Sequence, residues 1–287
     1  MMFTTRFITG LIVGMALLIP NSSSPVFFSG TFQEPGGTPT AQTTPRTVQI
    51  AIDTDANVLI ENAEGNRIGL DLMTRKFVNE ISDARSIDRE TSSTFILPYD
   101  KAGKPYKISI SGKPASAPNA VLSMTGPGFI VGFRSLSVSV EQIQRVSISS
   151  DGTALSFASN QNGATPQLYF TFQSGRDKPS YRFEVASLSL SPGKTINVKL
   201  DVANHRLYFK SDDARKNSFS VMMRRTNPGG ARETYNHQDV SFGRENDYMM
   251  DFGKWDGKGD GCFHQRCAGC DETDCTNLKN EFLKPKQ

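Results

Sequence analysis

The 287-residue chain carries a formal net charge of +3, with 37% hydrophobic and 21% charged residues. This balance excludes an acidic disordered tail and a strongly basic nucleic-acid surface, and the absence of any interior apolar run of about 20 residues excludes a polytopic membrane protein. At about 150 residues per domain, the length suits two domains.

Arg6 follows five uncharged residues and precedes an apolar run from Phe7 to Ile19, which Pro20 and Asn21-Ser22-Ser23-Ser24 end. A basic start, a short apolar stretch and small polar residues predict a signal peptide over 1–24 and a secreted or periplasmic protein. An uncleaved anchor extended by Val26-Phe27-Phe28 is the alternative. Residues 25–46, rich in Thr, Pro and Gly, have nothing to bury and predict a disordered linker.

From Thr47 onward the dominant pattern is alternation with period two, the mark of half-buried strands. Val48, Ile50 and Ile52 alternate with other residues, and so do Leu136, Val138 and Val140, then Ile196, Val198 and Leu200. Phe157, Phe170, Phe172, Tyr181, Phe183 and Val185 extend the pattern with residues that favour strands. Turn chemistry separates these runs at Ser150-Asp151-Gly152, Ser191-Pro192-Gly193 and Asn227-Pro228-Gly229-Gly230. The reading is all-β, with two β-sandwich-like domains over 47–126 and 127–287, divided at Thr125-Gly126-Pro127-Gly128.

One stretch runs against the alternation. Leu70, Met73, Phe77, Val78 and Ile81 recur at helical spacing, with neither Gly nor Pro between Leu70 and Arg85. Around it, Gly65, Arg67, Gly69 and Asp71, then Asn79-Glu80-Ile81, then Tyr106 to Gly112 form a pattern. That pattern resembles a β-sandwich accessory module of exported bacterial proteins. The resemblance covers about 57–112 and implies a secreted sandwich module without catalytic residues. In the family, an Asp-Pro-x-Thr-Gly stretch makes a hairpin turn; here it reads Asp71-Leu72-Met73-Thr74-Arg75, without the Pro or the Gly. A hairpin is expected over this stretch, with a short helix as the alternative.

The C-terminal part holds all four cysteines, Cys262, Cys267, Cys270 and Cys275, in the spacing C-x4-C-x2-C-x4-C within a Cys/Asp-rich loop over 254–276. In an exported chain the leading reading is two disulfides, for which three connectivities exist. A zinc site is the alternative, since thiolates suit tetrahedral Zn²⁺ and His264 offers a substitute ligand. An iron–sulfur site through Cys262, Cys267 and Cys270 and a redox pair of Cys267 and Cys270 rank lower. Asp256, Asp260, Asp271, Glu272 and Asp274 offer oxygens for a loose Ca²⁺ site. An EF-hand fails, because Lys258 stands at its third position and Cys267 at its twelfth. Trp255-Asp256-Gly257 with Gly259-Asp260 is similar to the turn that joins the last two strands of some secreted β-sandwich proteins, with the cysteines as an elaboration of that turn.

Catalytic patterns are absent from the sequence. Three histidines, His205, His237 and His264, are the imidazole candidates, and neither a G-x-S-x-G elbow nor an H-E-x-x-H motif occurs. Sugar binding would want exposed aromatic platforms; Trp255 is the single tryptophan, and Tyr169, Tyr181 and Tyr248 are expected in the core. Arg224, Arg225 and Arg232 are expected as a solvated basic tip. The functional expectation is an exported, non-enzymatic structural or binding protein whose partner is an envelope or extracellular protein or a glycan. No cofactor is expected. Metal binding through 251–275 is the first alternative; an unrecognised hydrolase or carbohydrate-binding protein is the second.

Overall fold

A computed structural model describes residues 46–287 except 115–118, 162–164, 174, 176, 214–216, 243–245, 256–261 and 268–287. The alternating runs become strands whose alternate side chains point into a shared core. In β1 (Thr47–Ile52), Val48, Ile50 and Ile52 are buried while Gln49 is exposed. Their neighbours on other strands repeat the same two-residue rhythm.

Among the described residues, nineteen strands build two antiparallel sheets. From edge to edge the first sheet runs β17 (Arg232–Phe242), β16 (Asn217–Thr226), β13 (Ser180–Ala186), β12 (Gln167–Gln173), β9 (Phe129–Ser137), β8 (Asn119–Gly126), β1, β6 (Ser92–Pro98) and β5 (Arg85–Arg89). The second runs β19 (Cys262–Cys267), β18 (Asn246–Asp251), β15 (Arg206–Ser211), β14 (Thr195–Asp201), β11 (Ala154–Ser159), β10 (Gln144–Ser149), β7 (Pro105–Gly112), β2 (Ala56–Glu61), β3 (Arg67–Asp71) and β4 (Lys76–Asn79). Aromatic pairs cross between the sheets: Phe133 of β9 meets Phe157 of β11, and Phe209 of β15 meets Phe219 of β16, each with ring centroids 5.2 Å apart. Tyr169, Tyr181 and Tyr248 are buried, as expected.

The expected boundary at 126/127 falls in the turn between β8 and β9. Residues 47–126 supply one contiguous block of each sheet, and the later strands supply the other. The two sandwich-like halves are fused edge to edge, because β8 pairs with β9 and β7 pairs with β10 across the boundary. One hydrophobic cluster runs through both halves, within the compact unit Thr43–Gln287.

From β8 onward the chain lays down hairpins in alternate sheets: β8–β9, β10–β11, β12–β13, β14–β15, β16–β17, β18–β19. Each lies beside the hairpin two before it. The hairpin turns recur about every 25 residues, a supersecondary repeat absent from the sequence reading. The turns gather at one end of the sandwich, where backbone bonds join neighbours: Gln173 N–H to Gly128 O (2.8 Å), Leu200 N–H to Thr153 O (2.7 Å) and Phe252 N–H to His205 O (2.9 Å). Crossovers between sheets gather at the other, where Gly112 N–H donates to Ser139 O (2.9 Å) and Gly193 N–H to Ser159 O (2.7 Å). No helix among the described residues is long and apolar enough to cross a membrane.

Candidate binding surface

The hairpin expectation for 70–85 holds at its core: β3 and β4 pair from Ile68↔Asn79 to Asp71↔Lys76. The turn works without Pro or Gly because the Asp71 side chain replaces them. Its Oδ1 accepts from the backbone N–H of Met73 (2.9 Å), its carbonyl accepts from Arg75 N–H (2.7 Å), and Arg75 takes the left-handed conformation at φ 56°. Arg67 then clamps both ends of the hairpin. Its guanidinium reaches Asp71 Oδ2 at 3.0 Å and Glu80 Oε1 at 3.2 Å, while Glu80 Oε2 accepts from the Arg67 backbone N–H at 3.1 Å. Ile81 is buried and anchors the far end.

Each motif residue therefore has a local task. Gly65 turns the chain at φ 86°, Gly69 lets β3 lie flush on β2, and Asn79 Nδ2 donates to the carbonyl of Ala84 (3.4 Å).

Clamping this hairpin holds apolar side chains out in water. Met73 is 93% exposed, Phe77 52% and Leu72 37%, and Ile87 on β5 is 45% exposed. Met73 and Phe77 belong to the helical-looking period, yet this stretch is a hairpin and they serve no helix. β4 and β5 are the outermost strands of their sheets at one end of the sandwich, and β3 lies against β5 there. Exposed apolar side chains thus stand on or beside two open edge strands, Met73 and Phe77 at β4 and Ile87 on β5, a combination that invites a partner. The other exposed large apolar residues among those described, Ile130 and Val140, stand elsewhere.

The clamp also sets a pH limit. The N–H of Met73, with that of Thr74 and the Arg67 guanidinium, outweighs burial and holds the Asp71 carboxyl below its ordinary value; the Arg67 guanidinium does the same for Glu80. A lowered carboxylate pKa stabilises the fold above the ordinary value of about 4 and loses that contribution as the pH falls through the lowered one. Thermal melts are expected to hold a steady midpoint from pH 7 to about 5 and to drop below about pH 4. In Arg67→Ala this part of the acid drop should shrink.

The expected site residues that the structure describes lie at the opposite end of the second sheet. Cys262, His264 and Cys267 stand on β19, opposite Asp251, Met249 and Asn246 of β18. Thus six residues of the expected loop are strand, and the first two cysteines are carried by the second strand of the closing hairpin rather than by its turn. Asp256, Asp260, Cys270, Asp271, Glu272, Asp274 and Cys275 lie outside the described residues. Among the described residues no three His, Cys, Asp or Glu side chains gather as a metal site.

One expectation is corrected here, the solvated basic tip. Trp255 is buried beneath the Arg225 guanidinium, 5.0 Å from the ring centroid, and its carbonyl accepts from Arg225 Nη1 at 3.1 Å. Arg225 in turn pairs with Glu233 across the β16–β17 hairpin, so it is no solvated tip cation. Of the histidines, His205 is an exposed turn residue at φ 54° with its ring edge-on to Phe252, and the ring of His237 stacks on that of Tyr235. Comparison with protein-family models, with curated proteins and with solved structures finds no match.

Proposed function

We propose that this chain is an exported, non-enzymatic binding or structural protein of a bacterial envelope or exterior, and that it engages its partner with the β3–β4–β5 end. The observation that carries the reading is the exposure of Leu72, Met73, Phe77 and Ile87 beside two open sheet edges. The signal-peptide pattern over 1–24 and the resemblance of 57–112 to an accessory module of exported proteins support the compartment. The clamp by Arg67, Asp71 and Glu80 supports a preorganised surface, which lowers the ordering cost of binding.

The test is sedimentation of the purified chain, lacking residues 1–24, with envelope fractions of the producing bacterium. The wild type is expected to sediment with them. Met73→Glu with Phe77→Glu should weaken binding by about tenfold or more, since covering the exposed part of each side chain is worth about 1 kcal/mol or more. Met73 projects almost wholly into water and Phe77 is half-exposed, so the folded midpoint should fall only slightly. Sedimentation that the double variant leaves intact, or no sedimentation of the wild type, would overturn the proposal.

A further inference from the structure

The second sheet carries a hollow on its outer face. Across β2, β7, β10, β11 and β14, the residues Leu59, Ser109, Arg145, Ala158 and Thr195 stand in one unbroken cross-strand row. Glu61, Lys107, Ser147 and Ser156 stand in the next row. These residues are exposed or half-buried, whereas Ile60, Ile108, Val146 and Phe157, which alternate with them, are buried in the core. The two rows line a space of about 350 Å³, near the lower end of the range for small-molecule sites.

The hollow exists because its middle is short of side chain. Ser109, Ser147, Ser156 and Ala158 hold neighbouring outward positions on three central strands. β-Branched or aromatic residues at such positions would pack against one another and fill the surface. The small residues forgo that contact, and the serines line the space with hydroxyl groups, each a donor and an acceptor.

The charges around the hollow do not cancel. Lys107 is held by Glu61 at 2.9 Å. Outward cations of the first sheet are likewise partnered, Arg134 and Arg182 both by Glu184. Among the described residues the Arg145 guanidinium has neither an ion pair nor a hydrogen bond, and its cross-strand neighbours are Ser109 and Ala158. One positive charge is therefore left over, on a planar fork that takes a carboxylate through two parallel N–H donors. A phosphate monoester, with a charge of about −1.5 to −2, would set its excess charge against Glu61.

We propose that this hollow binds a hydroxylated carboxylate, either a free hydroxy acid or an acidic residue of a glycan. Its carboxylate sits on Arg145 and its hydroxyls meet Ser109, Ser147 and Ser156. The site is distinct from the surface that displays Met73, Phe77 and Ile87, and it goes beyond the partner contact made there.

The experiment is a titration of the isotopically labelled full chain at pH 7, read by amide NMR shifts, with galacturonate, galactose and polygalacturonate. Galacturonate is expected to shift the amides of 107–109, 145–147 and 156–158 saturably, and galactose, which lacks the carboxylate, to bind at least tenfold more weakly. Arg145→Ala should weaken galacturonate binding at least tenfold. Arg145→Lys keeps the charge without the fork and should weaken it less. Ser156→Leu fills the hollow from another strand and should abolish binding. Because Arg145 is exposed, its variants should keep the wild-type thermal midpoint. Tighter binding of polygalacturonate per residue, lost in the same variants, assigns a glycan; binding of the monomer alone assigns a free acid. No saturable shift with either acid, galactose equal to galacturonate, or binding that Arg145→Ala leaves intact would overturn the proposal.

Discussion

Phe252→Ala is expected to destabilise the protein by about 3–5 kcal/mol, the range for deleting a buried aromatic ring. Phe252 is fully buried directly after β18, and its ring lies 5.0 Å from Phe183, 5.1 Å from Tyr181, 5.9 Å from Phe172 and 5.5 Å from His205. Three of these rings belong to β12 and β13 of the first sheet, whereas Phe252 belongs to the chain of the second. The side chain therefore plugs the turn end of the sandwich between the sheets. Its removal leaves an aromatic-lined hole that β-strands fixed by their ladders cannot close. Against a typical total of about 5–15 kcal/mol, the loss should appear as a large fall in the urea midpoint with an unchanged slope. Phe252→Leu, which keeps most of the volume, should cost less than half as much.

The second large effect belongs to Gly69. At φ 118° it already sits where side chains are disfavoured, and a Cβ there would lie 2.1 Å from the carbonyl oxygen of Val58. Alanine must therefore adopt a strained backbone and also push β3 off β2. We expect a loss of about 3 kcal/mol for Gly69→Ala, combining the strain of a left-handed residue with the overlap. Gly65 provides the control. Its φ is 86°, but nothing lies within 4 Å of the added Cβ, so Gly65→Ala should cost only about 1 kcal/mol. Equal losses at the two positions would mean that conformational strain alone decides both. Because β3 carries the clamp, Gly69→Ala should also weaken envelope binding at temperatures where the fold persists.

Strands were readable wherever one face is buried, because burial imposes the two-residue rhythm on the sequence itself. Leu136 and Val138 follow that rule and are buried, but Val140 continues the rhythm beyond the end of β9 and is 58% exposed. Alternation thus marks the face and not the end of a strand. Order within the sheets was not readable, since local periodicity says nothing about which distant strand becomes the neighbour. The hairpin repeat left a trace all the same. Gly126-Pro127-Gly128, Ser150-Asp151-Gly152, Ala203-Asn204-His205 and Asn227-Pro228-Gly229-Gly230 are turn segments whose spacing fits a repeat of about 25 residues.

The candidate surface was hidden by a false period. Leu70, Met73, Phe77, Val78 and Ile81 imitate one face of a helix, yet Met73 and Phe77 point to water and Ile81 to the core. Two different demands, solvent-facing contact and core anchoring, produced one apparent rhythm. The substitution of an Asp71 side-chain turn for a Pro/Gly turn is legible only once the backbone is known, because Asp in such a stretch has several roles open to it. The burial of Trp255 was equally illegible, because the Arg225 and Tyr235 packed around it come from distant strands.

A protein that binds through one end of a rigid sandwich should register its partner only there. Hydrogen–deuterium exchange of the chain, alone and on the envelope fraction that sediments it, reads this directly. The account predicts slowed exchange at the amides of 72–79 and 85–90, the apolar hairpin and the open edges of β4 and β5, with the turn end unchanged. Slowed exchange confined to the turns at 126–128, 150–153 and 227–231, or no change at 72–90, would contradict it.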